Sequence, residues 1–206
     1  MIHQWIKNNL PENSIIIDSG TANGIDTVFF CETFPSGKVY GFEPIPSSYS
    51  ITREKTKKFN NVHLENVALG EKNEKRLFNI SSNNASSSLL KPTGHLKDHP
   101  HITFKKQIEV NVINLDEWSN NIGLEKVDLM WLDMQGYEWY VLNSSPNIMS
   151  KTNYIYSEVS KNEQYENGMV YNDFKEWMLT QDFIVEKEFK FYDDGAGNVL
   201  FKNSKI

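Results

Sequence analysis

A chain of 206 residues with 39% hydrophobic and 13% aromatic side chains can bury a sizeable core, which excludes a disordered chain and fits one domain over 1–206. A formal net charge of -6 excludes the basic field of a general nucleic-acid binder and gives no attraction to an anionic membrane. The single cysteine, Cys31, excludes an intrachain disulfide.

The chain shows no charged-then-apolar leader and no apolar run of about 18 residues, so an intracellular protein without a membrane span is expected. Residues 2–10 read as a short amphipathic helix stopped by Pro11. Residues 14–18 (SIIID) form a continuous apolar run closed by an acid, the pattern of a strand buried on both faces. Gly20 and Gly24 follow, then a helix from Ile25 to about Thr33. Cys31 lies in its apolar run and reads as a buried small side chain rather than a nucleophile. A second strand covers 38–43 (KVYGFE), a charged helix 47–58 and a third strand 62–68. Strands and helices alternate here as in a parallel sheet with crossover helices.

Residues 74–80 and 106–114 read as extra strands. Between them, 81–105 is rich in Ser, Asn, His and Pro, and a stretch that long without a period is functional or disordered. A fourth buried strand covers 127–133 (VDLMWLD), and a helix starts near Glu138 and runs to Asn143. A fifth strand covers 153–159, and a helix over 171–181 sets Phe174, Trp177 and Met178 on one side. Residues 183–191 and 197–202 close the chain as an antiparallel pair joined through Asp193-Asp194-Gly195. The expected class is α/β, with helices on both faces of a mostly parallel sheet.

The segment Asp18-Ser19-Gly20-Thr21-Ala22-Asn23-Gly24 lies between a strand and a helix. A nucleotide-binding turn uses glycine for φ angles other residues avoid and for close approach of backbone to ligand. The spacing is not the Gly-x-Gly-x-x-Gly of a dinucleotide oxidoreductase, and no Gly-Lys-Ser/Thr follows to cradle a phosphate. Glu43 closes the next strand, where an acid can accept hydrogen bonds from a ribose diol. The alternatives are a structural αβ turn and a solvated strand-end acid.

In order along the chain stand IIIDSGTANGIDT (15–27), VYGFEP (39–44), NVALG (66–70), serines at 86–88, VINLDEW (112–118), VDLMWLDMQGYEWYVL (127–142), YIYSEV (154–159) and GNVLF (197–201). In these segments the chain resembles the FkbM family of methyltransferases dependent on S-adenosylmethionine (SAM). The resemblance implies a Rossmann-like SAM methyltransferase fold, with a mostly parallel seven-stranded sheet and an antiparallel last strand. It implies SAM as cofactor. Gly20 and Gly24 would then bring backbone against its methionine part, so that Gly20→Val would abolish binding and leave the fold intact. Asp18 would hold the turn or bond the cofactor's amino group through water. Glu43 would bind the ribose hydroxyls. Asn66 by side chain and Val67 by backbone N–H would meet the adenine, and Ser87 or Ser88 would close over the cofactor. The chain departs from the family at two positions. Trp131 stands where the family usually has Lys, and Gln135 where it often has Glu; Gln135 is no base near neutral pH.

Methyl transfer from a sulfonium needs the methyl in line between sulfur and an attacking oxygen, so positioning supplies much of the rate. A hydroxyl attacks more readily as a carboxylate or histidine takes its proton. Asp133 ends the fourth strand beside the glycine turn, and is the first candidate for that base and for contact with the cofactor; the alternative is a strand-end cap. Glu158 ends the fifth strand at the same edge, a second candidate for catalysis through substrate contact. With Asp133 it could hold a divalent ion, but two carboxylates are a thin ligand set and no metal is assigned. Glu138 reads as a first-turn helix acid. His95, His99 and His101 read as solvated loop residues, of which one could be the base. Trp131, Tyr137, Trp139 and Tyr165 read as exposed aromatics suited to stacking on a sugar. The expected function is O-methylation of a hydroxyl on a sugar or glycan, a substrate class that the resemblance alone implies. The alternatives are a lipid or polyketide hydroxyl, and a noncatalytic SAM-fold module.

Overall fold

The computed structural model describes residues 2–206. Its strands are β1 (Ile15–Ser19), β2 (Lys38–Phe42), β3 (Val62–Glu65), β4 (Ala68–Gly70), β5 (Glu74–Ser81), β6 (Phe104–Asn114), β7 (Val127–Leu132), β8 (Thr152–Ser160), β9 (Phe183–Glu188) and β10 (Ala196–Asn203). The helices are α1 (Ile2–Asn9), α2 (Ile25–Thr33), α3 (Pro46–Thr56), α4 (His95–Asp98), α5 (Leu115–Asn121), α6 (Glu138–Asn143), α7 (Pro146–Ser150) and α8 (Tyr171–Thr180). No described helix is long and apolar enough to cross a membrane.

Seven strands form one sheet in the order β3-β2-β1-β7-β8-β10-β9. The pairs from β3 to β8 are all parallel, and β10 runs antiparallel to both its neighbours. The chain steps outward from β1 in one direction to β3, then returns to β1's other side with β7. The carboxyl ends of β1 and β7 therefore meet where the order reverses, the place at which such sheets leave a crevice.

The continuous apolar runs are buried on both faces, as strands covered by helices on each side must be. On one face Ile17, Met130 and Leu132 pack with Leu115, Val141, Ile148, Phe174 and Met178, which come from α5 to α8. On the other, Ile16, Leu129 and Trp131 pack with Ile6, Phe30 and Phe34 from the region of α1 and α2. Cys31 is buried in that second layer, and burial pushes its thiol up to about 12, so it is no nucleophile.

The structure departs from the sequence reading in the middle of the chain. The run read as one strand over 62–68 breaks at Asn66-Val67. Asn66 Nδ2 donates to the carbonyls of Glu43 (2.7 Å) and Pro44 (3.3 Å), which pins a corner. Ala68–Gly70 then leaves the main sheet and pairs with Val112–Asn114 in a second, three-stranded sheet, β4-β6-β5. The irregular stretch after β5 holds a turn of 3-10 helix (Asn84–Ser86) and α4.

Two helices, α5 and α7, were not expected from the pattern. Asn114 caps α5, its Oδ1 accepting from Glu117 N at 3.0 Å. Asp116, buried on α5, accepts from the backbone N–H of Asn147 (3.0 Å) and Ile148 (2.7 Å) and so caps α7 from another helix. The acid of the Leu-Asp-Glu-Trp segment is thus structural. Asp116→Ala is expected to lower stability by about 2 kcal/mol, because it strands those donors. Urea unfolding followed by circular dichroism measures the loss; an unchanged midpoint would show that α7 is held by packing alone.

Candidate active site

Two cavities open at the carboxyl ends of β1, β7 and β8. A narrow slot of about 60 Å³ runs from Gly20 and Ala22 past Glu43 to Val67, Leu69, Phe78 and Leu89. A larger cavity of about 330 Å³ lies on the other side, bordered by His95, Trp139, Glu158, Gln164, Tyr165 and Tyr192 among others. Asp133 and Gln135 line both, so the two spaces meet at this pair.

Glu43 follows β2 and is buried, yet borders the slot. Its Oε2 accepts from Ala22 N at 2.8 Å and its Oε1 from Ile45 N at 2.9 Å. One carboxylate thereby ties the glycine turn to the loop after β2. Each oxygen retains a further lone pair. Asp18 is buried behind the turn and accepts from Thr27 Oγ1 at 2.6 Å, which fastens β1 to α2.

The glycines serve the protein's own packing. A Cβ on Gly20 would stand 1.9 Å from the Asp133 carbonyl oxygen, with φ at +86°. A Cβ on Gly24 (φ +74°) would meet Thr52 of α3 at 2.9 Å. Gly20 borders the slot, but what its missing side chain makes room for is the backbone after β7.

At the junction, Gln135 Nε2 donates to Asp133 Oδ1 (2.8 Å) and to Glu158 Oε2 (2.5 Å). Its Oε1 accepts from Tyr165 OH at 2.8 Å, and that hydroxyl also reaches the Ser86 carbonyl. Gln135 sits at φ +54°, a left-handed conformation uncommon for a side chain of its size. Ser88 Oγ donates to its carbonyl at 2.9 Å and holds it there. Desolvation at the junction raises the carboxyls of both Asp133, which reaches the open surface, and the half-buried Glu158. The charge of Asp133 then raises Glu158 further, well above the usual carboxylate range. Two carboxyls bridged by one amide cannot both ionise freely, so the pair titrates together and holds on to its last proton more tightly than a lone carboxyl would. Glu138 is buried on the first turn of α6 and accepts from Met134 N at 2.7 Å. Among the described residues, no group of three or more His, Cys, Asp or Glu side chains is placed to hold a metal ion.

Of the residues singled out from sequence, Gly20, Glu43, Val67 and Asp133 border the slot, and Glu158 borders the larger cavity with Asp133. Asp18, Gly24, Asn66 and Ser88 stand behind these walls. The side-chain nitrogen of Asn66 is engaged by two carbonyls, and Ser87, not Ser88, faces the slot. Three aromatics expected to be exposed are not: Trp131, Tyr137 and Tyr165 are at most 8% exposed. Trp131 stacks on Tyr156 at 4.1 Å in the core and borders neither cavity. Tyr137 forms part of the slot, its hydroxyl donating to Glu71 at 2.6 Å, while Tyr165 and the half-buried Trp139 border the larger cavity. His95 and His99 also come to that cavity rather than lying in solvent. Sequence reasoning missed the slot walls Leu69 and Phe78, which reach it only through the second sheet.

Comparison with known proteins agrees with this architecture. Residues 18–190 match the methyltransferase FkbM domain. The chain is 28% identical over 213 residues to the 2-O-methyltransferase NoeI of Sinorhizobium fredii, covering 100% of this chain and 86% of that protein. TrmK of M. capricolum, solved with S-adenosyl-homocysteine (SAH), superposes with a TM-score of 0.55 at 11% identity over 99% of this chain and 68% of that one. The magnesium protoporphyrin IX methyltransferase ChlM of Synechocystis PCC 6803, solved with SAM, gives 0.53 at 11% over 98% and 76%. These two likenesses concern the fold.

Two expectations follow from the site's construction. Gly20→Val should destabilise the fold, since its side chain would collide with the Asp133 backbone. A normal melting temperature for this variant would show that the junction can open. The second concerns pH. Burial pushes Asp18, Glu43 and Glu138 each up to about 7. Between their unfolded values near 4 and about 7, the folded state holds protons that the unfolded chain releases. Their contribution is complete below that window and is lost as pH rises through it. Calorimetry should find a lower melting temperature at about pH 8 than at about pH 5.5, with a smaller difference in Asp18→Asn.

Proposed function

The chain belongs to the FkbM methyltransferase domain family and is a SAM-dependent methyltransferase, and from that premise we propose that it methylates a hydroxyl oxygen of a sugar or glycan, with Asp133 as the base. The observation that carries this reading is the position of Asp133 on both cavities.

SAM supplies a methyl group on a positively charged sulfur, the electrophile of the reaction. The slot suits it in chemistry. Glu43 can accept from both ribose hydroxyls without giving up Ala22 or Ile45. Val67, Leu69, Phe78 and Leu89 offer apolar walls for a purine, and the Gly20 end, next to Asp133, takes the methionine part. Asp18, Gly24, Asn66 and Ser88 act through others, by holding the turn, the corner and Gln135 in place.

The acceptor occupies the larger cavity. Its hydroxyl binds Asp133, which takes the proton as the new bond to the oxygen forms. Glu158 holds the pair's last proton and leaves Asp133 as the anion. Gln135 fixes the spacing of the two and cannot itself take a proton. The oxygen acceptor is supported by the relative, a 2-O-methyltransferase. The sugar is supported by a cavity wall that mixes aromatic faces (Trp139, Tyr165, Tyr192) with hydrogen-bonding groups (His95, Asn162, Gln164).

Asp133→Asn is expected to bind SAM within a few-fold of wild type and to lower turnover by ~10²-fold or more. The readout is transfer of labelled methyl to a panel of glycosides, with SAM affinity from calorimetry and a wild-type control in EDTA. The pH dependence of turnover should vanish in the variant, and EDTA should leave wild type unaffected. Near-normal turnover in Asp133→Asn would remove it as base and move the search to Glu158 and His95.

A further inference from the structure

The larger cavity is acidic in its lining, although the Asp133–Glu158 pair shares a proton and Asp194 is matched by His99. Asp133, Glu138, Glu158 and Asp194 line it, and among the described residues no lysine or arginine does. Lys161, beside the rim, is turned onto the Phe191 ring at 4.3 Å. Asp194 is engaged with His99 Nε2 (3.0 Å) and Ala196 N (2.9 Å), so His99 is already matched by an acid.

The second observation is His95. It is 6% exposed and borders the cavity, and its Nδ1 has no hydrogen-bond partner among the described residues. Burial holds its imidazole below the usual histidine range, so near neutral pH it offers a neutral atom and not a cation. Trp139 Nε1 and Gln164 Oε1, from the same lining, are also unpartnered. These three atoms lie within the cavity wall with almost no accessible surface, so the wall they belong to is polar and carries no cation. A phosphate brings acceptors and negative charge, and would find carboxyls here without a cation to oppose them.

We propose that this cavity is a charge filter, admitting a neutral glycoside and rejecting the same sugar when it carries a phosphate or a nucleoside diphosphate. The proposal rests on the sugar-hydroxyl reading above. A phosphate on the anomeric carbon stands one bond from the ring, too close to leave outside a cavity that holds the ring. Methylation therefore follows glycosyl transfer. The reaction class that supplies the substrate moves a sugar from its phosphorylated, activated form onto an acceptor.

The test uses the full chain, labelled SAM and matched triplets: methyl glycosides of common hexoses and deoxyhexoses, their 1-phosphates, and their nucleoside diphosphate forms. At least one glycoside should be methylated, with kcat/KM at least ~10-fold above that of its 1-phosphate. Asp194→Lys, checked for an intact melting curve, should narrow that ratio through the KM of the phosphate; Asp194→Asn is the milder second variant. A 1-phosphate or nucleotide sugar used as well as the glycoside overturns the filter. If wild type methylates no member of any triplet, the sugar reading itself fails. Ligand-observed NMR on the SAH-loaded protein then reads the filter separately. Binding of glycosides but not of their phosphates upholds it. Binding of the phosphates at least as tightly, or of no triplet member at all, overturns it.

Discussion

Past the end of β1, the chain runs so close to the end of β7 that only a glycine fits. Asp133 N donates to the Ser19 carbonyl at 3.0 Å, which extends the parallel pairing one step beyond the strands. The Asp133 carbonyl then fills the space a Gly20 side chain would need. The turn beside the slot and the carboxylate beside the larger cavity are thus two sides of one backbone junction. Their separation is set by sheet register rather than by flexible side chains. Methyl transfer requires such fixed geometry, because a displacement of about 1 Å can cost on the order of 10²-fold in rate.

Around this junction the molecule gathers acids without basic partners. Asp18, Glu43 and Glu138 are buried, and each is satisfied by a hydroxyl or by backbone N–H groups instead of a cation. Burying carboxyls this way disfavours their charged forms and pulls them towards neutrality near pH 7. The Asp133–Glu158 pair extends the same logic, with Gln135 supplying one amide nitrogen to both. Trp131, stacked on Tyr156 in the core, brings no positive charge to them. Proton placement in this site is therefore governed by desolvation and by the neighbouring acid. The unusual φ of Gln135 is a local strain spent on holding that bridge.

The larger cavity is walled in part by segments that hold at most a single turn of helix. Thr93 and His95 donate backbone N–H groups to the Gln164 carbonyl. Gln164 Nε2 reaches Asp98 at 2.8 Å and the Asp194 carbonyl at 3.3 Å. Three segments, around 93–99 with the single turn of α4, 160–168 and 192–196, thereby hold one another over the sheet edge. In the proposed reaction this division places chemistry on the strand ends and recognition on the loops, where sequence can vary without disturbing the core.

Much of the scaffold is legible in the chain itself. SIIID, KVYGFE and VDLMWLD are short apolar runs closed by acids, and such runs encode buried strands and their ends whatever surrounds them. Gly20, Glu43 and Asp133 stand at those ends, so alternation of strand and helix already brings them to one edge of a parallel sheet. Asn114 followed by Glu117 is a helix start written in the sequence, an N-cap with an acid three residues on. Other features had no local signal. The break at Asn66 depends on carbonyls of Glu43 and Pro44 that a single apolar run does not reveal. That Ser87 and not Ser88 faces the slot, and that Trp131 turns away from the site while Tyr165 turns into it, follows from strand faces and loop paths fixed by packing. Gln135 meets Tyr165, and His95 borders the same space as Glu158, only once the sheet has formed and the loops have docked on it. Periodicity and turn chemistry act over a few neighbouring residues and so are written in sequence; the meeting of groups tens of residues apart is decided by tertiary packing alone.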